Sequence, residues 1–317
     1  AIVFSRSLLN LSKHLIFIFQ KPNIEYVTLP SDIEHSLEEY PQLKKIVANA
    51  NITLPLEIED VPQGITTTED GLIFITVYDY KEKTYSKCYI LDQNGNLLNT
   101  VTLDITSHVG SIAYDEQNEL FWIPDDDGSL GAYKKDEMLN QSNVFSQVRF
   151  EKIGLSLKDS KEPLSNYIDY LTVDGKSLFI GSFSQKSKGI LHEYKIRQEN
   201  GQIKLLKKSE IALPTRIQGI TFYDRGLEKY MILSRSFGRQ NDSEILVYRY
   251  KENTHTYSEQ KTRIALAAPP LLEQISVHGG SLYAIFESSS KKYHNSKVVI
   301  PNILILDTEA ILSLHGQ

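Results

Sequence analysis

One phrase is written twice in this chain, far apart: VPQGITTTEDGLIFITVYD at residues 61–79 and RIQGITFYDRGLEKYMILSRS at 216–236. Each copy opens on a glycine before a β-branched run, turns, and continues in a second apolar run of period two. That alternation reads as strand, turn, strand. A unit that recurs at a fixed interval cannot bury its apolar face alone. It must stack against copies of itself.

Three weaker copies follow the same plan: HVGSIAYDEQNELFWIPDD from His108, NYIDYLTVDGKSLFIGSFS from Asn166 and EQISVHGGSLYAIFESS from Glu273. Aligning Gly64, Gly110, Tyr167, Gly219 and Gln274 spaces the units by 46, 57, 52 and 55 residues. A third strand follows each pair (SKCYILDQ, SLGAYKK, GILHEYKI, EILVYRY and NILILD), and four units add a fourth. Turns such as QNGN, VDGK, ENGQ and VHGG supply Gly and Asn where positive φ is needed. Four strands per unit of about 50 residues is a β-propeller blade. The fold class predicted is all-β, a five-bladed β-propeller of four-stranded blades.

The fifth unit runs out before its fourth strand, which would leave a bare sheet edge. NANITLPLEI, residues 49–58, precedes the first inner strand and is expected to close the ring as that missing outer strand. Residues 23–30, NIEYVTLP, are the competing candidate. Between them SDIEHSLEEYPQLKKIV carries a Ser/Asp cap signal and apolar positions at helical spacing. The predicted organisation is a partly helical N-terminal appendage, residues 1–48, and a propeller, residues 49–317.

Bulk properties narrow the partners. A net charge of −6 and basic clusters no longer than Lys207-Lys208 and Lys291-Lys292 argue against nucleic acid. The opening twenty residues are apolar but interrupted by Arg6, Lys13 and His14, so no membrane span is expected. They read as a docked helix or strand, with a remnant of a targeting segment as the lesser reading. A single cysteine, Cys88, excludes an internal disulfide framework. The chain is expected to be a monomer.

The phrases VPQGIT, SHVGSIAYD, RIQGITFYD and LEQISVHGGSLYAIFESSSKKY together resemble a group of bacterial β-propeller proteins, commonly secreted or surface-attached in Gram-positive organisms. The resemblance covers roughly residues 58–306 and implies an extracellular or cell-surface location, with the cytoplasm as the alternative. More distantly, VPQGIT and RIQGITF resemble inner-strand phrases of the SMP-30, gluconolactonase and arylesterase propellers. That likeness implies fold more than chemistry.

Sharp catalytic signatures are absent: no G-x-S-x-G, no phosphate-binding glycine loop, no H-E-x-x-H and no C-x-x-C. PDDDGSL, residues 124–130, fails as a calcium loop because Ile123 and Lys134 would stand at its first and twelfth positions. Topology is the better guide. In a blade, the start of the inner strand and the end of the second strand share one rim of the disc. Gln63, His108, Gln218 and Glu273 fall at inner-strand starts; Asp79, Arg235 and Glu287 fall at second-strand ends. These seven are the candidate ligand-binding residues, gathered at one polar channel mouth.

The expected function is non-catalytic binding of a small molecule, a glycan or a protein at that mouth, with no cofactor. The alternative is a metal-dependent hydrolase of the lactonase or esterase type, with calcium on Glu273 and Glu287 and His108 as base. Against it, such propellers keep an acidic residue and an amide at set places on several blades, whereas here Gln63 and Gln218 stand at inner-strand starts and only Glu273 matches the acidic type. Two carboxylates in the fifth blade would repel, and one would keep its proton unless Arg235 or an ion relieved it.

Overall fold

Each inner strand is sandwiched between neighbouring blades, and its sequence shows it. Asp60–Thr67 and Ile73–Asp79 are buried at every position, whereas the outer strand Ile264–Ala268 alternates buried and exposed. Apolar runs in the middle and alternation at the edge are what a radial stack of sheets demands. The computed structural model describes residues 27–150 and 167–314.

Five four-stranded antiparallel sheets form the ring. Blade 1 holds Asp60–Thr67, Ile73–Asp79, Lys87–Leu91 and Leu97–Thr102; blade 2 holds Ala113–Asp115, Leu120–Pro124, Leu130–Lys134 and Val148–Phe150. Blade 3 holds Tyr170–Asp174, Ser177–Ser182, Gly189–Glu199 and Gln202–Leu213; blade 4 holds Ile217–Arg225, Glu228–Arg235, Ser243–Arg249 and Ile264–Ala268. Blade 5 contributes Leu272–His278, Ser281–Phe286 and Asn302–Asp307, and its fourth strand is Val47–Thr53 from the N-terminal side. The chain closes its own ring with a strand that overlaps the expected segment 49–58 but begins two residues before it.

That closure is antiparallel, with Val47 opposite Leu306 and Ile52 opposite Ile303, and Asn302 Nδ2 donates to the Ala50 carbonyl at 2.6 Å. Of the rival segment, Val27–Pro30 is irregular and the remainder lies outside the described residues, as do residues 1–20 and Asn166. Ahead of the closing strand, the helices Ser31–Ser36 and Pro41–Ile46 bury Ile33, Leu43 and Ile46 in one apolar cluster with blades 4 and 5. Tyr40 anchors them by donating to Asp242 at 2.7 Å. Among the described residues no helix is long and apolar enough to cross a membrane.

The repeated glycine has a steric cause. Around a five-fold axis the inner strands nearly touch, and a side chain at the crossing point has no room. A Cβ on Gly64 would press on Thr76 Oγ1 and come within 2.9 Å of Ile112 N in blade 2. One on Gly110 would sit 2.7 Å from the Asp169 carbonyl in blade 3, and one on Gly219 would sit 2.8 Å from Gln274 Cα in blade 5.

Candidate functional site at the channel mouth

In blades 1, 4 and 5 the pairing of the first two strands is irregular at the same place. It skips between Pro62 and Gly64, between Ile217 and Gly219, and between Leu272 and Ile275. A bulge bends the strand and re-aims the extra side chain. The extra residues are Gln63, Gln218 and the pair Glu273-Gln274.

Glu273 is only 3% exposed. Burial first, then the Glu287 charge and then the Asp169 charge, hold its carboxyl well above the usual carboxylate range. Such a rise favours the neutral form of Glu273, which spares the pair two charges side by side. Glu287 is also pushed up, to about 7, chiefly by burial. Gln63 Nε2, donating to Glu287 Oε1 at 2.6 Å, opposes that rise, as do the more distant charges of Lys292, His108 and Arg239. Glu287 lies deep among protein atoms yet keeps part of its surface open. Asp169 completes the acidic group; burial raises it too, although Phe183 N at 2.6 Å and Ser182 Oγ at 3.1 Å donate to it.

Above this floor stands an aromatic and cationic rim. Lys292 Nζ donates to Tyr78 Oη at 2.8 Å and lies over the Tyr78 and Tyr293 rings, 5.2 and 5.0 Å from their centroids. The Arg239 guanidinium covers Tyr293 at 4.8 Å and donates to Asn295. His108 packs its ring on Tyr78, centroids 4.3 Å apart, and faces the Asp126 carboxylate at 3.3 Å, which raises its pKa.

Of the seven residues expected at the mouth, Gln63, Glu273 and Glu287 form the floor and His108 reaches the rim. Arg235 does not join them. Its guanidinium is held by Thr215, Glu244 and Glu259, at 2.9, 3.2 and 2.6 Å, so it braces blade 4 and leaves the dyad alone. The Asp79 carboxylate accepts from Lys81 N, Lys83 N and Thr84 Oγ1, tying down the loop after its strand. Gln218 stands on its bulge half-buried and makes no side-chain hydrogen bond among the described residues. Among those residues no group of three or more His, Cys, Asp or Glu side chains is arranged to hold a metal ion.

Two residues escaped the reading of the sequence. Gln274, an alignment marker there, sends its amide across the axis: Oε1 accepts from Ile65 N and Ile112 N, and Nε2 donates to the Ile112 and Leu171 carbonyls. All four bonds lie between 2.8 and 3.1 Å, so one side chain ties blades 1, 2, 3 and 5 together and plugs the channel. Asp169 was missed because Tyr167 had been aligned with the glycines. Tyr170 is the true counterpart, paired with Gly181, and Gly181 leaves the room its ring requires. The bulky residue and the glycine have changed places across the pair.

The sequence matches no family model, and the search of curated proteins finds no match. Among solved structures, the β-propeller domain of Cps50 (Swd1) from Myceliophteria thermophila is 8% identical, with 83% of this chain and 99% of that chain covered and a TM-score of 0.41. The RRP9 WD40 repeats are 9% identical over 83% of this chain and 98% of that one, with a TM-score of 0.44. Saccharomyces cerevisiae Sqt1 is 10% identical over 74% and 83%, with a TM-score of 0.39. The blade count here rests on the strand order itself.

Proposed function

We propose that this chain is a non-catalytic binding propeller whose ligand enters the mouth above Glu273 and Glu287. The observation that carries the reading is a mismatch of partners. The buried dyad forms no ion pair with any described Lys, Arg or His, while Lys292 and Arg239 stand on the rim beside it with no described carboxylate bonded to either. Charges left uncompensated on neighbouring groups of both signs are complementary to something that supplies both. A location on a bacterial cell surface, which the resemblance of the inner-strand phrases implies, belongs to the same proposal.

The test is a thermal-shift screen of sugars, amino acids, organic acids and short peptides against the native chain and against Glu287→Gln. Ligands that stabilise the native chain and lose their effect in the variant place binding at this mouth. Ligands that stabilise both equally would move the site elsewhere. Turnover of lactones or simple esters with added calcium would overturn the non-catalytic reading.

A further inference from the structure

Resting on that reading, we propose that the mouth is built for a small zwitterion of the α-amino acid type, taken up ammonium first with its carboxylate left at the rim. The chemistry follows from the order of charges along the channel. Deepest is Gln274, whose amide has all four of its bonding positions filled by backbone and offers a ligand nothing. Next comes Glu287, an acceptor that receives one neutral donor from Gln63. Outermost are Lys292 and Arg239, donors whose protein partners are a phenol and an amide.

A ligand that fits must therefore donate at its inner end and accept at its outer end. An ammonium meets the first requirement with up to three N–H donors to Glu287. A carboxylate meets the second with lone pairs for the guanidinium and the Lys292 ammonium. A purely anionic ligand would set its charge against Glu287, and a purely cationic one would meet Lys292 and Arg239 on the way in. The two charges must also lie close together, because Glu287 and Lys292 sit on two consecutive single turns, Glu287–Ser289 and Lys291–Tyr293, joined through Ser290, whose N donates to the Glu287 carbonyl at 3.0 Å and whose carbonyl accepts from Tyr293 N at 3.2 Å. The tyrosine faces of Tyr78 and Tyr293, already bracketing Lys292, wall the path between. No proton or bond needs to move beyond the settling of the dyad, so this is recognition and not turnover.

Calorimetric titration with the common L-amino acids, one at a time, is the experiment, with two modified forms of whichever binds best. The N-acetylated form lacks the ammonium and the C-terminal amide lacks the carboxylate. The expected result is saturable binding of at least one free amino acid, weakened at least about tenfold by either modification, by Glu287→Gln and by Arg239→Ala. Arg239 is exposed, so its replacement leaves the fold intact. The inference is overturned if no free amino acid binds, or if the acetylated or amidated form binds as well as the parent. A different class of compound that binds and is lost in Glu287→Gln would sink the zwitterion while leaving the mouth as the site. Amino-acid binding insensitive to both variants would sink both.

Discussion

Gln63 and Glu287 stand 224 residues apart in sequence and share a 2.6 Å hydrogen bond, which fastens blade 1 to blade 5 at the mouth. The donor is neutral and the acceptor charged, so the bond favours the ionised form of Glu287 and offsets part of what burial does to it. Replacing Gln63 by Leu removes that support without adding charge. The Glu287 carboxyl should then titrate at a higher pH than in the native chain, as read by carbon NMR of labelled glutamate. An unchanged titration would mean that the amide only spaces the strands.

Gln274 allows a sharper test of the axis. Its side chain satisfies the backbone N–H groups of Ile65 and Ile112, which lie where no solvent replaces it. Each buried polar group left unpaired costs about 1–3 kcal/mol. Gln274→Leu should therefore lower stability by roughly 3 kcal/mol or more in denaturant unfolding, although Leu is close to Gln in size. Gln274→Glu should also destabilise, because it sets an acceptor against the Ile112 and Leu171 carbonyls. If the Leu variant unfolds at the native midpoint, the plug contributes packing alone.

The ring seam gives the third expectation. Val47–Thr53 is the outer strand of blade 5, and without it Asn302–Asp307 becomes a bare edge. A chain beginning at Asp60 should lose cooperative unfolding, and calorimetry of that truncation decides. A sharp transition at the native temperature would show that the seam is dispensable.

Blade number, ring closure from the N-terminal side and helical structure ahead of it could be read beforehand because each leaves a local trace: period-two runs, a missing fourth strand, apolar positions at helical spacing. The mouth was legible only where the trace was equally local. Gln63 and Gln218 announce themselves by standing before the repeated glycine, and the acidic pair by its place in the fifth unit. Asp169 was lost to a slip of three residues, since blade 3 exchanges the glycine for Tyr170 and compensates on the facing strand at Gly181. Arg235 was misplaced for another reason. Position in a strand assigns a side chain to a rim, but a long guanidinium chooses among carboxylates within its reach, and Glu244 directly opposite on the neighbouring strand lies nearer than the axis. Such choices are made by tertiary packing, which no single stretch of sequence records.

The dyad makes the last prediction, on pH. Folding raises Glu287 from the ordinary 4.5 to about 7 and raises Glu273 well above its ordinary value. Through that window the folded chain holds more protons than the unfolded one, so stability falls as pH rises. Below about pH 4.5 both states are protonated and the dyad costs nothing; above about 7 the loss due to Glu287 is complete, and Glu273 acts in the same sense. One pKa unit is about 1.4 kcal/mol, and the open part of Glu287 lets solvent screen the effect, so its share is about 1–3 kcal/mol. Carboxylates held low by their partners, such as Asp79 and Asp92, change stability in the opposite sense and at lower pH. The decisive quantity is therefore the difference between native chain and Glu287→Gln across pH 5–8, measured by urea unfolding. The variant carries no charge there and also relieves Glu273, so it should gain on the native chain steadily as pH rises. A difference that stays constant across the window would show that folding does not raise the Glu287 carboxyl.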